Sequence, residues 1–456
     1  MGKSKPIFIC QTCGHESLKW LGKCPECDAW NTFVEEIVEK TPANRRRSAP
    51  QREPVRLSQV ELTAMPARIL TGMVELDRVL GGGIFPGSVV LLAGEPGIGK
   101  STLMLQMLLQ LASRKENVLY ISGEESLEQI KSRASRIAPS SDALMVLAET
   151  NLEDIRYHLQ QLQPTVAVVD SIQSVYSSQL SGSAGNVSQV RECAAQLFQL
   201  AKVQGFSLFM VGHVTKEGVV AGPKVLEHLV DAVIYFENTN QQFRIIRATK
   251  NRFGATNEIG VFEMRHQGLV EVDDISRLFL SSAHRPSVGN SLVCSYEGSR
   301  PLMVEVQALV SRSHYGTPQR TVSGFDYRRL ALLLAVLERY VGLAFGIYDV
   351  FVKIAGGFRI DDPALDLAVA AALYSSRLDR PLEKDRVYLG ELGLGGEVRP
   401  VAYLESRLQE IQKMGLRQVV LSAHHNVDAS LKRKLTLKIL PIEHINNVFP
   451  FTKHIP

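Results

Sequence analysis

Residues 94–101 read GEPGIGKS, a glycine-rich segment that ends in a lysine and a serine. The spacing G-x-x-x-x-G-K-S is typical of a phosphate-binding loop, because glycines let backbone N–H groups face phosphate oxygens without a side chain in the way. Lys100 is expected to place its charge near the β- and γ-phosphates, and Ser101 to offer its hydroxyl to Mg²⁺. The segment therefore predicts ATP and Mg²⁺ as cofactors, with nucleotide contacts from Gly94, Glu95, Pro96, Gly97, Ile98, Gly99, Lys100, Ser101 and Thr102.

Carboxylates follow two apolar segments further along the chain. TVAVVD ends on Asp170, which we expect to coordinate Mg²⁺ through water. NVLYIS is followed by GEES, which presents Glu124 and Glu125. Hydrolysis needs a group that orients or deprotonates the attacking water, and these two glutamates are the candidates. Glu124 is the first choice and Glu125 the second, with an exposed acidic turn as the alternative.

Four cysteines near the N-terminus have the spacing of a metal site. CQTCGHESLKWLGKCPEC contains two C-x₂-C pairs, which supply the four thiolates of a closed tetrahedral Zn²⁺ site. His15 then lies outside the ligand set. A module of this size cannot build an adequate core without its metal. The predicted zinc ligands are Cys10, Cys13, Cys24 and Cys27.

The elements that must position the phosphate loop are an apolar strand before it, SVVLLA, and a helix after it, LMLQMLLQLA. Further strand-like segments (NVLYIS, ALMVLA, TVAVVD, SLFMVG, DAVIYF) alternate with helical periodicity. This alternation predicts an α/β fold whose mostly parallel sheet is covered by helices on both faces. Because parallel strands end at one edge of a sheet, Glu124 and Asp170 are expected near the phosphate loop.

The chain of 456 residues is too long for one core, and three blocks and a linker are expected. They are a zinc module (1–34), a flexible tether (35–57), an ATPase domain (58–280) and a second α/β domain (285–456). The formal charge of +4 is a weak indication of polyanionic partners. The tether contains Arg45, Arg46 and Arg47, which either contact nucleic acid or are simply solvated.

Targeting and membrane signals are not evident in the sequence. The apolar stretch LALLLAVL at 330–337 is followed by Glu338 and Arg339 and is shorter than the roughly 20 residues of a membrane span. MGKSKPIFIC has no apolar signal-peptide core. A cytoplasmic protein without a membrane partner is therefore expected.

The order of motifs resembles the RecA-like ATPases, and within them the bacterial RadA (Sms) family of DNA-repair and recombination ATPases. The resemblance extends over TGMVELDRVLGGGIFPG, the phosphate loop, YISGEES, VVDSIQS and KNRFG at 250–254. It implies a homo-hexameric ring in which KNRFG serves ATP hydrolysis and movement on DNA. Lys250 and Arg252 occupy alternate positions of an extended segment, so both can point to one side and act across a subunit boundary.

The same resemblance implies partners and DNA-contacting segments. The partners are single-stranded DNA, branched recombination intermediates and a RecA-type recombinase, the last contacted by the zinc module. The loops expected to face DNA are 177–189 and 213–228, with phosphate contacts from Lys216 and Lys224 as well as Lys250 and Arg252. His213 lies where related enzymes place a residue that senses nucleotide and transmits it to the DNA loop.

The C-terminal block resembles the Lon peptidase domain, through GGFRIDDPALDLAVAAAL and GELGLGGEVRPVAYLESRL. That family uses a Ser–Lys dyad, but Ala364 and Glu405 occupy the two dyad positions. The resemblance therefore implies a scaffold without peptide hydrolysis. Candidates for phosphate contacts on this scaffold are Arg312, Arg320, Arg328 and Arg329.

Three functions remain to be weighed on these residues. The favoured one is a DNA-dependent ATPase motor that translocates on single-stranded DNA and promotes branch migration. An ATP-dependent protease is disfavoured by the residues at 364 and 405. A switch ATPase of the circadian-clock type shares the paired glutamates, but such proteins tend to duplicate the ATPase domain and this chain has one phosphate loop.

Overall fold

The chain forms two compact units, Met1–Glu271 and Val272–Pro456, in a computed structural model. The first unit thus ends before the predicted domain limit at 280. No helix in the described part of the chain is long and apolar enough to cross a membrane. The structure describes residues 5–10, 15–26, 28–38, 67–137, 143–180, 182–213, 226–238, 243–256, 258–272, 276, 280, 287–314, 316–356, 359–428, 431, 433 and 435–449.

The N-terminal module is a three-stranded antiparallel sheet in the order β2-β1-β3. Its small core consists of Cys10, Cys24 and Phe33, against which Phe8 and Leu21 pack. A core of this size is too small to stabilise a fold alone, in keeping with a metal-dependent module. The strands are β1 (Lys5–Cys10), β2 (Glu16–Ser17) and β3 (Phe33–Val38).

The rest of the first unit is built on a nine-stranded sheet in the order β12-β11-β10-β9-β4-β8-β7-β5-β6. The strands from β9 to β6 in this order are parallel, and β10, β11 and β12 extend the sheet antiparallel. This arrangement confirms the predicted α/β class. The strands are β4 (Val89–Gly94), β5 (Val118–Ser122), β6 (Met145–Ala148), β7 (Val166–Asp170), β8 (Ser207–His213), β9 (Ala232–Asn238), β10 (Phe243–Asn251), β11 (Ile259–Arg265) and β12 (Gly268–Glu271).

Two apolar cores cover the two faces of this sheet. Along β4, Val90 and Leu92 belong to one core and Val89, Leu91 and Ala93 to the other. Burial on both faces explains why the parallel strands read as unbroken apolar runs. The helices are α1 (Val74–Val79), α2 (Lys100–Ser113), α3 (Leu127–Ile137), α4 (Leu152–Leu162) and α5 (Val187–Gln204).

The second unit contains a seven-stranded mixed sheet in the order β15-β16-β14-β13-β17-β20-β21 and a two-stranded sheet, β18-β19. The strands are β13 (Asn290–Glu297), β14 (Arg300–Arg312), β15 (Arg320–Ser323), β16 (Tyr348–Ile354), β17 (Arg386–Leu389), β18 (Glu391–Leu392), β19 (Val398–Arg399), β20 (Gln418–Ser422) and β21 (Lys438–Ile442). The helices are α6 (Tyr327–Val336), α7 (Leu365–Leu378) and α8 (Leu404–Lys413).

Helix α7 packs at the centre of the second unit. Its alanine-rich segment DLAVAAAL is buried throughout, because small side chains let the helix lie close to β13 and β14. The strand-like LMVEVQALV and the helical DLAVAAALYSSRL therefore form the elements predicted for them.

Candidate functional site

Strand order brings four chemically active segments to one edge of the large sheet. β4, β8, β7 and β5 are consecutive neighbours and parallel, so their carboxyl ends lie side by side. Gly94 pairs with His213, and Asp170 pairs with both Val211 and Ser122. The phosphate loop, His213, Asp170 and the GEES turn therefore meet at this edge.

The phosphate loop takes a backbone conformation that its glycines permit. Gly97 and Gly99 have φ values of +73° and +118°, in the left-handed region that disfavours other residues. A Cβ at Gly94 would lie 2.7 Å from the carbonyl oxygen of Phe236 on β9. Helix α2 begins directly after Gly99, so its first backbone N–H groups are free of intrahelical partners and can bind phosphate.

Lys100 is buried against its own loop. Its Nζ donates to the carbonyl oxygens of Gly94 and Glu95, each at 2.8 Å, and lies 3.1 Å from Nδ1 of His213. Burial lowers the pKa of Lys100 to about 8, although the charges of Asp170, Glu124 and Glu95 oppose that shift. The ammonium group is therefore held in place by acceptors that a phosphate can replace.

We expect nucleotide affinity to fall as the pH rises from 7 to 9. Lys100 is charged below its pKa of about 8 and loses its proton above it, so its attraction to phosphate weakens through this window. Binding of a non-hydrolysable ATP analogue across this pH range measures the effect. The exposed Lys115→Ala variant serves as the control and should follow the wild-type profile. A flat wild-type profile would contradict the assignment of Lys100 to the phosphates.

Glu124 and His213 form a chain of contacts with Lys100. His213 Nε2 lies 3.3 Å from Oε1 of Glu124, and Ser171 Oγ donates to the same oxygen. The Lys100 ammonium can only donate, so Nδ1 of His213 accepts and Nε2 carries the hydrogen toward Glu124. The hydrogen bond from His213 is the largest cause that lowers the pKa of Glu124, which is about 2; Ser171 and Lys100 add to it and burial opposes it. Glu124 is thus an ionised carboxylate at the phosphate edge.

Glu125 has a different environment from Glu124. Its carboxylate accepts a hydrogen bond from Arg133 of α3, and its backbone N–H donates to Ser122 Oγ at 2.9 Å. The guanidinium already compensates the charge of Glu125, whereas Glu124 contacts groups of the phosphate edge. Glu125 therefore forms an ion pair within the first unit, and Glu124 occupies the candidate catalytic position.

Asp170 is held by a neutral partner, which leaves its negative charge available. Tyr120 Oη donates to Asp170 Oδ2 at 2.6 Å, and both side chains are buried. Burial, together with the charge and hydrogen bond of Asp170, raises the pKa of Tyr120 far above its usual value, so the phenol stays protonated. A buried carboxylate beside a phosphate loop, with Ser101 in the first turn of α2, fits Mg²⁺.

The sequence reasoning missed Tyr120, Ser171 and Arg133 as partners of the predicted carboxylates. Tyr120 lies two residues before Ser122 on β5, so their side chains point to the same face of the sheet. This alternation was the available signal for Tyr120. Ser171 directly follows Asp170, and Arg133 lies eight residues after Glu125, a spacing that places it two turns along the helical segment. None of these signals specified the partner without the strand order.

KNRFG lies at the opposite edge of the sheet from the phosphate loop. Asn251 pairs with Ala232, and Ala232 pairs with Val90 near the amino end of β4. Val90 and Gly94 are four positions apart, which corresponds to about 13 Å at ~3.3 Å per residue. Lys250 and Arg252 are therefore distant from the phosphate loop of their own chain.

Both cations of KNRFG contact the segment between residues 227 and 231. Lys250 Nζ donates to the carbonyl oxygen of Glu227 at 2.6 Å, and Arg252 Nη1 lies 3.5 Å from Asp231 Oδ1. Desolvation lowers the pKa of Lys250, and the neighbouring Arg252 adds to this effect. The Arg252 side chain is 56% exposed, so its guanidinium faces solvent at the rim of the unit.

The turn after these cations is rigidly packed. Phe253 stacks on Phe85 with ring centroids 4.2 Å apart, and a Cβ at Gly254 would lie 2.9 Å from Cα of Gly81. Glycine at 81 and 254 is thus required by a close approach of two backbones. The packing fixes where Lys250 and Arg252 emerge from the sheet.

Comparisons with known proteins agree with this geometry. Family models match residues 53–219 (AAA domain), 8–35 (rubredoxin metal binding domain) and 316–425 (subunit ChlI of Mg-chelatase). DNA repair protein RadA of Bacillus subtilis (strain 168) is 49% identical over 440 residues, which are 95% of this chain and 96% of that protein. The chain belongs to the RadA family. RadA proteins of Listeria monocytogenes (49% over 428 residues) and Streptococcus pyogenes serotype M1 (48% over 422) match 92% of this chain and 93% of their own length.

The zinc-ribbon match accounts for the N-terminal module of this RadA family member. Cys10 and Cys24 are buried together in the module core, and the Cys10 backbone N–H donates to the carbonyl oxygen of His15. Two buried thiols in one small core fit a tetrahedral zinc site. Cys13 and Cys27 lie outside the described residues. The His15 ring packs edge-on to Phe33.

The predicted DNA-facing segments are only partly within the described residues. Lys216 and Lys224 lie outside them. In the earlier loop, Gln189 is buried and donates to the carbonyl oxygens of Ser177, Leu180 and Gly182. The described part of this loop is therefore shaped by one glutamine of α5.

The four candidate arginines of the second unit divide into two pairs. Arg320 donates to the carbonyl oxygens of Gln319, Phe345 and Tyr348, and Arg329 donates to Asp366 Oδ1 at 2.6 Å. Both guanidinium groups have acceptors within the second unit, and phosphate contacts from Arg320 and Arg329 stay predictions. Arg312 and Arg328 are exposed and remain candidates.

A buried ion pair lies beside Ala364, one of the two positions that correspond to the Lon dyad. Arg407 Nη1 donates to Asp362 Oδ2 at 2.7 Å, and their side chains are 2% and 6% exposed. Asp362 Oδ1 accepts from the backbone N–H of Ala364 at 2.9 Å, and Arg407 also donates to the carbonyl oxygens of Cys294 and Ala402. Glu405 is exposed and bonds to Gln409. The ion pair is thus joined to Ala364 by a backbone hydrogen bond, whereas Glu405 lies outside it.

Proposed function

We propose that this RadA family member is a DNA-dependent ATPase of recombinational DNA repair. In this proposal it forms a homo-hexameric ring, translocates on single-stranded DNA and promotes branch migration of recombination intermediates. The observation that carries it is the separation of Lys250 and Arg252 from their own phosphate loop, at opposite edges of one sheet. Cations placed in this way can serve a nucleotide only when a neighbouring copy supplies it, which is the arrangement of a ring motor.

The residues of the ATP site can divide the tasks of hydrolysis among them. Lys100 and the N–H groups of α2 bind the phosphates, Glu124 orients or deprotonates the attacking water, and Lys250 and Arg252 of a neighbouring copy stabilise the developing charge. Mg²⁺, held by Ser101 and by Asp170 through water, would neutralise phosphate oxygens. We assign Glu125 a structural role, because its carboxylate already pairs with Arg133.

His213 offers a route from nucleotide to DNA. It contacts both Lys100 and Glu124 at the end of β8, and the predicted DNA-facing segment 213–228 begins at this residue. When a γ-phosphate attracts Lys100, the Lys100–His213 contact is lost and His213 is free to move. The nucleotide state is thereby communicated to the start of the DNA loop.

Charge distribution supports a polyanionic partner for the second unit. Residues 272–456 contain 23 of the 51 lysines and arginines but 19 of the 47 acidic residues. The whole formal charge of +4 therefore belongs to this unit, and the first unit is balanced. An excess of cations attracts a phosphate backbone without reading its sequence.

Peptide hydrolysis is not part of the proposed function. Ala364 has no nucleophilic atom, and Glu405 cannot act as the dyad lysine. Asp362, which accepts from the backbone N–H of Ala364, is paired with Arg407. The second unit instead serves as a scaffold for DNA contact and ring assembly. A RecA-type recombinase remains the proposed partner of the zinc module.

The proposed function is tested with a forked DNA substrate and purified full-length protein. Wild type should show ATP turnover stimulated by single-stranded DNA and should migrate the branch, whereas Lys100→Ala should do neither because it cannot hold the phosphates. Lys115→Ala removes an exposed lysine just beyond α2 and should behave as wild type. Equal branch migration by wild type and Lys100→Ala would overturn the motor, as would turnover that DNA leaves unchanged at every salt concentration.

A further inference from the structure

Two tyrosines form a stacked pair beside the buried Arg407–Asp362 ion pair. The rings of Tyr296 and Tyr403 lie 4.3 Å apart between centroids and 13° from parallel. Tyr296 is half-buried, and its hydroxyl donates to the carbonyl oxygen of Ser299 at 2.9 Å. Tyr403 covers Tyr296, yet its own side chain is 62% exposed. One aromatic face of the pair is thus open to solvent.

Tyr403 has a backbone conformation that favours glycine. Its φ and ψ are +57° and +37°, in the left-handed region where a Cβ is unfavourable. In the Lon peptidase pattern, the corresponding position of AYLESR is the second residue of GGL, a glycine. A bulky aromatic at a strained, exposed position is not explained by packing, because most of its ring area is uncovered.

The inner ring of the pair rests on a buried ion pair. The guanidinium carbon of Arg407 lies 5.4 Å from the centroid of the Tyr296 ring, and Arg407 is fixed by Asp362 and two carbonyl oxygens. Asp362 also accepts from the backbone N–H of Tyr296 at 2.7 Å. The network holds the inner ring still, so the outer ring is presented in one orientation.

We propose that Tyr296 and Tyr403 form a stacking platform for an unpaired base of single-stranded nucleic acid. A flat, rigid π-face accepts any base, and such stacking tolerates all sequences, as a translocating protein requires. The net positive charge of this unit attracts the accompanying phosphates, and Arg300 follows in the same β13–β14 hairpin. The proposal rests on the proposed function, which supplies single-stranded DNA as the substrate.

A protein partner fits this surface less well than a base. Docking surfaces for proteins are broad, with several apolar residues around an aromatic anchor. Here the exposed positions next to Tyr403 in the chain are the small Ala402 and the charged Glu405, and the open face of the stacked pair is one ring wide. The area suits one base.

The test compares full-length wild type, Tyr403→Gly and Tyr403→Trp. Their binding to a fluorescent oligothymidylate and to an abasic strand with the same number of phosphates is measured by anisotropy. Wild type and Tyr403→Trp should prefer the oligothymidylate by about tenfold, and Tyr403→Gly should bind both strands alike. Because glycine suits the backbone at 403, the melting temperature should not fall, which separates loss of stacking from loss of fold.

Tyr327→Ala is the matched control, since Tyr327 is also exposed in the second unit but begins a helix. It should keep the tenfold preference. An unchanged preference in Tyr403→Gly, equal weakening toward both strands, or no preference in wild type would each overturn the platform. If oligothymidylate still stimulates ATP turnover in such a case, the proposed function survives. If wild type binds neither strand, the proposed function fails together with the platform.

Discussion

Replacement of Lys250 by alanine is expected to lower DNA-stimulated ATP turnover by about 10³- to 10⁵-fold, the range typical for loss of a trans-acting cation. The reason is geometric. Lys250 on β10 pairs with Val233, which pairs with Leu91, three positions before Gly94 at the carboxyl end of β4, so we expect the loss to affect the nucleotide of a neighbouring copy. Nucleotide binding by the same chain should stay close to wild type, since Lys100 and its contacts are untouched. Steady-state turnover and analogue binding, measured on the same preparation, check both halves.

Mixing two inactive variants tests whether the site is shared. In a random one-to-one mixture of Lys100→Ala and Lys250→Ala chains, about a quarter of the head-to-tail interfaces combine an intact phosphate loop with an intact KNRFG. Turnover should therefore reappear on mixing. A mixture of Lys100→Ala with Glu124→Gln should stay inactive. Both substitutions damage the phosphate edge, so every interface in this mixture contains a defective ATP site.

Two results would contradict the shared site. If ATP turnover does not reappear in the first mixture, although both variants assemble, Lys250 serves the ATP site of its own chain or has another role. A Lys250→Ala chain with full turnover would remove the cation from catalysis altogether. Either outcome would leave the phosphate loop intact as an ATP site and would separate the two parts of the proposal.

The sequence predicted the ATP edge because its signals are local. GEPGIGKS, YISGEES and VVDS each end an apolar run, and a parallel sheet brings such ends together irrespective of strand order. What it left open was the choice between Glu124 and Glu125. That choice depends on Arg133, which lies on the following helix, and on His213, which joins the edge only because β8 is adjacent to β4.

Contacts between distant segments give two of the candidate arginines partners that the sequence did not disclose. Arg320 looked like a surface cation in RSHYGTPQR, but its donors are taken by carbonyl oxygens near the start of β16, which pairs with β15. Arg329 meets Asp366 because α6 packs on α7. The sequence alone does not show whether the hydrogen-bond acceptors of an arginine lie within the protein. The tertiary structure is needed to identify them.

Burial of the former dyad position was equally hidden. Ala364 and Glu405 indicated that the serine and lysine of the dyad are missing. Arg407, however, lies in ESRLQE, which is typical of an exposed helix. In the fold it is 2% exposed and bonds to Asp362 from a segment 45 residues earlier. The sequence thus predicted the loss of a peptidase dyad, and the structure adds what occupies its place.

Asp362→Ala is expected to destabilise the second unit by about 3–5 kcal/mol, because it leaves the buried guanidinium of Arg407 without a counter-charge. The backbone N–H groups of Tyr296 and Ala364 lose their acceptor as well. Amide hydrogen exchange of α7 in the full-length chain measures the effect, since this helix lies at the core of the unit. Exchange limited by opening of the unit should become roughly 10²- to 10⁴-fold faster.

The adjacent Asp361→Ala provides the matched control. Asp361 is 70% exposed and pairs with Arg359, which is 66% exposed, and such surface pairs contribute about 0–1 kcal/mol. The double replacement of Asp362 by leucine and Arg407 by methionine should recover most of the stability, because removing both charges leaves neither one buried alone. If Asp362→Ala exchanges no faster than Asp361→Ala, the ion pair does not stabilise this fold, and the rigid base assigned to the tyrosine platform would have to come from other contacts.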